Sequence, residues 1–172
     1  DGTVENIGFG GTTTEKTSSS NTLEVDGLVW ENQSVLCLDC QNKNISENGF
    51  DGILGYTIFE DKVVEIDYDK SVLIVHSKIP STVTSFQKME TRENLYVKLN
   101  VGNTKKNCSG WFFFDTGSES NLIVENRFIT KSHLFENLKS IGKGVSKGTG
   151  GIINNDVVLL SELTIGGTKL QN

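Results

Sequence analysis

Phe112-Phe113-Phe114-Asp115-Thr116-Gly117-Ser118 sets a carboxylate at the end of three consecutive aromatic residues. An apolar run of this kind reads as a buried strand, and a charge on a buried strand is kept only with partners or a task. Thr116 offers a hydroxyl to tie the loop to a neighbour. Gly117 removes a Cβ and permits close approach of another backbone. Ser118 can donate a hydrogen bond to the carboxylate. Three residues recur by chance, and Asp-x-Gly is also ordinary turn chemistry. The strand before this loop and Leu122-Ile123-Val124 after it are what separate it from a surface turn.

On the N-terminal side, Leu95, Val97, Leu99 and Val101 alternate with Tyr96, Lys98 and Asn100, the period of a half-buried strand. On the C-terminal side, Phe128, Phe135 and Leu138 recur near helical spacing, which predicts one short helix over residues 125–140. Gly142 to Gly151 is a Gly-rich segment that reads as a flap or hairpin, since it lacks the lysine spacing of a phosphate loop. Further from the loop, Leu23 to Leu38 carries two strand-like runs around Asp26-Gly27, a turn signal. Val63–Asp67 and Val72–Val75 flank another tight turn. Thr22 to Asn32 also matches Glu162 to Asn172 in pattern at a constant offset of 140 residues, and each copy follows a Gly-rich loop. A repeat of that length is a duplicated domain, because solenoid periods are roughly 20–50 residues.

Composition narrows the classes. The 172-residue chain has 18 Gly, one Pro and no Ala, so long helices are disfavoured and a mostly-β domain is expected. A formal charge of −6 excludes the basic footprint of a nucleic-acid binder. No apolar run reaches the roughly 18–20 residues of a membrane span. Cys37 and Cys40 have C-x-x-C spacing but no second ligand pair, and His76 and His133 stand alone, so no metal is expected. These thiols, with Cys108, read as buried thiols or a local disulfide. Asp67 and Asp69 read as turn acids.

Two motifs resemble the aspartic peptidase superfamily, the pepsin and retropepsin folds, and in particular bacterial secreted retropepsin-like proteins. One is Phe114-Asp115-Thr116-Gly117-Ser118, similar to the catalytic loop. The other is Asp51-Gly52-Ile53-Leu54-Gly55, similar to the strand that closes each lobe, where Asp51 would be structural. The resemblance implies pepsin-like β-barrel lobes and a catalytic loop made of Asp115, Thr116, Gly117 and Ser118. It also implies peptide-bond hydrolysis of a peptide or protein substrate without metal or cofactor, in a secreted, periplasmic or cell-surface setting. The order of parts is unusual. Residues 1–78 match the second half of one lobe, 79–94 a linker, and 95–172 the first half of the next lobe. Such enzymes activate a water between two aspartates, and this chain offers one matching carboxylate. It would therefore need a missing half-lobe or a second chain to complete its site. A non-catalytic peptide- or protein-binding relative with the same fold stays open beside the enzyme. The resemblance also places the Ile53-Leu54-Gly55 strand beside the Asp115 loop and expects Phe112–Phe114 to be core.

Overall fold

The computed structural model describes residues 2–38, 51–103, 106–136 and 138–171. It is mostly β, with one short α-helix among the described residues. The chain divides into two units. The first comprises residues 1–81 together with 145–153, and the second comprises 82–144 together with 154–172.

In the first unit, β1 (Gly2–Gly8), β2 (Gly11–Val25) and β3 (Leu28–Cys37) form an antiparallel three-stranded sheet. The Thr- and Ser-rich sequence of β2 forms one long strand, since threonine suits a pleated half-exposed surface. Asp26 and Gly27 take φ of 48° and 80°, the left-handed pair that a two-residue turn between twisted strands requires. The β2–β3 register slips on either side of Asn21. There the Asn21 amide donates to Ser18 O at 2.9 Å and Gln33 O at 3.0 Å, so the bulge keeps its backbone acceptors bonded. Trp30 Nε1 donates to Ile58 O at 2.7 Å and its ring meets Phe59 edge-on, which fastens a 3-10 turn at Tyr56–Phe59 to β3. β4 (Val63–Asp67) and β5 (Val72–His76) make a separate hairpin. Its turn is closed by Lys70, whose ammonium and N–H both bond Asp67 and hold that carboxyl below the usual carboxylate range.

In the second unit, β7 (Leu95–Gly102) is the organising strand. β8 (Asn107–Phe113) pairs along one edge of it. The short β6 (Met89–Thr91) and β11 (Glu162–Ile165) share the other edge, and β12 (Thr168–Gln171) pairs β11. β6 lies inside the segment expected to be linker. Val97, Leu99 and Val101 are buried as the alternation predicts, and Val101 is fully enclosed. Their partners across the ladder are Phe112, Gly110 and Cys108, which therefore share the inner face. The helix α1 (Asn126–Ser132) covers that face. Phe128 meets Phe112 at a ring separation of 5.3 Å, and a Cβ on Gly110 would sit 2.6 Å from the Phe128 ring. β9 (Gly142–Gly148) and β10 (Gly151–Val157) form a further hairpin.

Three expectations change. The helix occupies seven residues rather than 125–140. His133 takes φ 52°, and the Ser132 hydroxyl accepts from Leu134 N, so the chain turns and Leu134 is buried instead of continuing the helical stripe. Phe113 and Phe114 are not core: they are 54% and 44% exposed, because strand alternation turns only Phe112 inward. Ile53-Leu54-Gly55 belongs to no strand.

The inner face predicts its own test. Val101→Ala should cost about 2 kcal/mol in urea unfolding, since it empties a fully buried site. Val145→Ala, at an exposed position, should change stability by less than about 0.5 kcal/mol.

Candidate functional site

β8 ends at Phe113, and Phe114 N still donates to Leu95 O at 2.9 Å. The strand ladder therefore holds the chain up to the residue before Asp115. Beyond it the chain turns. Gly117 N donates to Asp115 Oδ1 at 2.8 Å, and Ser118 N donates to Asp115 O at 3.4 Å. The first of these bonds is an Asx-turn, in which a side chain replaces a backbone acceptor. A Cβ on Gly117 would lie 3.3 Å from Asp115 Oδ1, so glycine gives the turn room to close. The expected donation from the Ser118 hydroxyl to the carboxylate is not made; Ser118 Oγ accepts from Ser120 N at 3.2 Å instead. Residues 114–121 are all exposed. Asp115 thus stands in solvent at the end of a fixed strand, with one oxygen engaged by backbone.

The other sequence-derived candidates scatter. Cys37 is exposed with a free thiol, and Cys108 is half-buried with its thiol 3.6 Å from Ser132 O. Cys40 lies outside the described residues. His76 Nε2 bonds Glu65 at 2.7 Å, and His133 pairs with Glu136. Among the described residues no group of His, Cys, Asp and Glu side chains is placed to hold a metal ion, and no helix is long and apolar enough to cross a membrane.

A second feature was only half legible in the sequence. The duplication extends beyond Thr22–Asn32. Gly8-Phe9-Gly10-Gly11 turns the β1–β2 hairpin, and Gly148-Thr149-Gly150-Gly151 turns the β9–β10 hairpin, again 140 residues apart. The later hairpins correspond pair for pair: Leu23↔Trp30, Glu24↔Val29 and Val25↔Leu28 repeat as Leu163↔Leu170, Thr164↔Lys169 and Ile165↔Thr168. Gly166 and Gly167, with φ of 57° and 81°, repeat the turn of Asp26 and Gly27. The recurring Gly-x-Gly-Gly was the available signal. Between two hairpins of different composition it is easily passed over as generic turn chemistry.

No family model, curated protein or solved structure matches this chain.

The two Gly-x-Gly-Gly tips interlock. Gly150 N donates to Phe9 O at 3.1 Å, and Asn6 Nδ2 donates to Thr149 Oγ1 at 3.4 Å. A Cβ on Gly150 would lie 2.2 Å from Gly11 O, one on Gly10 2.7 Å from the Gly151 backbone, and one on Gly148 2.5 Å from Phe9 O. Backbone thus meets backbone without intervening side chains.

Gly150→Ala should break the tip contact while leaving the sheets intact. Its readout is faster hydrogen exchange across Gly8–Gly11, with protection at Val97–Val101 unchanged. Unaltered exchange at the tip would show that the contact tolerates a methyl group.

Proposed function

We propose that this chain is part of an aspartic-type endopeptidase, with Asp115 as one of two carboxylates that activate a water against a peptide bond. The observation that carries the reading is the Asp115 turn itself: a carboxylate delivered by a ladder-held strand, with Oδ1 fixed by Gly117 N. The duplicated glycine hairpins support it, since a repeat at an offset of 140 residues fits two lobes of one design.

The chemistry explains why one aspartate does not suffice. Two facing carboxylates cannot both ionise, so they share a proton and titrate as a unit. The ionised member takes a proton from water as the water attacks the carbonyl carbon. The protonated member donates to the carbonyl oxygen as negative charge grows there. Collapse of the tetrahedral intermediate passes a proton to the leaving amine and breaks the C–N bond. Asp115 can fill either role but not both at once. Its partner is a second carboxylate loop of the same kind, outside this single copy of residues 1–172. Thr116, Gly117 and Ser118 form the turn around Asp115. The reaction as proposed uses no metal or cofactor, and the substrate is a peptide or protein reached outside the cytoplasm. A binding protein of the same fold is the second reading, and it is favoured by the presence of one Asp-Thr-Gly in the chain.

The two readings part in an acid-range cleavage assay. Isolated single copies should cleave nothing. Preparations holding two Asp115 loops, or Asp115 with a complementary lobe, should cleave an unstructured peptide in a pepstatin-sensitive way, with at least a 1000-fold loss in Asp115→Asn. Peptide binding without turnover in such a preparation would favour the binding protein. Cleavage that survives Asp115→Asn would remove Asp115 from the site.

A further inference from the structure

The second unit carries a polar depression that neither its core nor the Asp115 turn uses. It lies on the outer face of the five-stranded sheet, away from the face that α1 covers. Cross-strand pairing sets its floor. Asn100 stands between Ser109 on β8 and Thr164 on β11, and the next outward pair along β7 is Lys98 with Trp111. These side chains share one face, since Val97, Leu99 and Val101 alternate with them on the other. The Ser109 hydroxyl donates to Asn100 Oδ1, which leaves the Asn100 amide N–H groups to donate outward.

Gln87 makes the wall. β6 pairs β7 as far as Val97, and β11 pairs it from Leu99 onward, so Lys98 O lies in the gap between them. The Gln87 side chain fills that gap. Its Nε2 donates to Lys98 O at 2.7 Å, and its Oε1 sits so close to the β11–β12 turn that a Cβ on Gly166 would lie 3.3 Å away. The depression holds about 300 Å³, the lower end of the roughly 300–1000 Å³ range of small-molecule sites.

Charge and hydrogen-bonding capacity select the ligand. One ammonium, two hydroxyls and two side-chain amides line the depression, with no Asp or Glu among them. The acids that share this face are engaged elsewhere: Glu162 by Lys169 at 2.7 Å, and Glu90 by Arg92 at 2.6 Å. Among the described residues the Lys98 ammonium has no carboxylate partner. A single cation without a cluster of backbone N–H groups suits one carboxylate better than a doubly charged phosphate. The hydroxyls and amides suit a ligand rich in hydroxyl groups, and the exposed indole of Trp111 beside Lys98 offers a flat apolar surface.

We propose that this depression binds a sugar acid, a pyranose ring bearing one carboxylate. The carboxylate pairs with Lys98, the ring hydroxyls bond Asn100, Ser109 and Thr164, and the ring lies on Trp111. None of these residues belongs to the Asp115 turn, so binding here is independent of peptide hydrolysis.

The test is titration of the full chain with sodium glucuronate, followed by amide shifts in NMR and by tryptophan fluorescence. Saturable shifts should centre on Lys98, Asn100, Ser109 and Thr164, and binding should weaken as salt rises. Glucose, which lacks the carboxylate, and inorganic phosphate, which lacks the ring, should each bind about tenfold more weakly. Lys98→Gln should weaken glucuronate about tenfold and leave glucose unchanged, whereas Trp111→Leu should weaken both sugars. Both positions are exposed, and circular dichroism checks that the variants stay folded. Absence of saturable shifts at these residues overturns the site. Glucose bound as tightly as glucuronate, or a folded Lys98→Gln chain that binds like the wild type, overturns the pairing with Lys98. Phosphate bound as tightly as glucuronate, or a folded Trp111→Leu chain that binds both sugars like the wild type, overturns the sugar acid as ligand.

Discussion

At the meeting of the two hairpin tips there is no room for a side chain. Gly150 lies against Gly11, and Gly10 against Gly151, at distances that any Cβ would violate, and a single backbone hydrogen bond from Gly150 to Phe9 joins them. This contact draws residues 145–153 out of the sequence-neighbouring unit and into the first. Residues 140 positions apart thereby become neighbours. The duplication is then more than a repeat of local pattern: two hairpins of the same design meet at the same point of that design. A contact held by backbone and one amide–hydroxyl bond is specific in shape but small in buried apolar area. Such contacts sit at the low-stability end of a fold, where parts that must open are found.

The second unit answers to a different constraint. β7 has only two edges and three partners, so β6 and β11 divide one edge while β8 takes all of the other. This fixes the inner face of Val97, Leu99 and Val101 against α1, and it carries β8 straight to Asp115. The outer face receives no equivalent cover. Trp111, Phe113 and Phe114 stay in water beside a loop that offers one carboxylate. An uncovered apolar strip and an exposed carboxylate are thus found side by side at the end of one strand.

How much of this was legible follows from where the information resides. The 95–101 alternation and the Asp26-Gly27 turn are local, so the sequence reports them directly. The helix end is not local. Phe135 and Leu138 keep helical spacing, but burial of Leu134 and the Ser132 hydroxyl turn the chain at His133. Phe112–Phe114 look alike in sequence, yet period-two geometry turns only Phe112 inward, where it is half-buried. For the site, the Asp115 loop was visible as a motif, whereas the Gly117 bond in place of a Ser118 bond depended on backbone path. The facing tips were the least visible, since a contact between distant glycines leaves no apolar pattern to read.

The central claim is that Asp115 is half of a carboxylate pair. The Asp115 carboxyl carbon, followed by NMR as pepstatin is added to the chain alone and to the chain combined with a second carboxylate loop, tests this most directly. Its resonance is expected to move with pepstatin only where the second loop is present. A resonance that pepstatin leaves unmoved in every preparation would contradict the pairing.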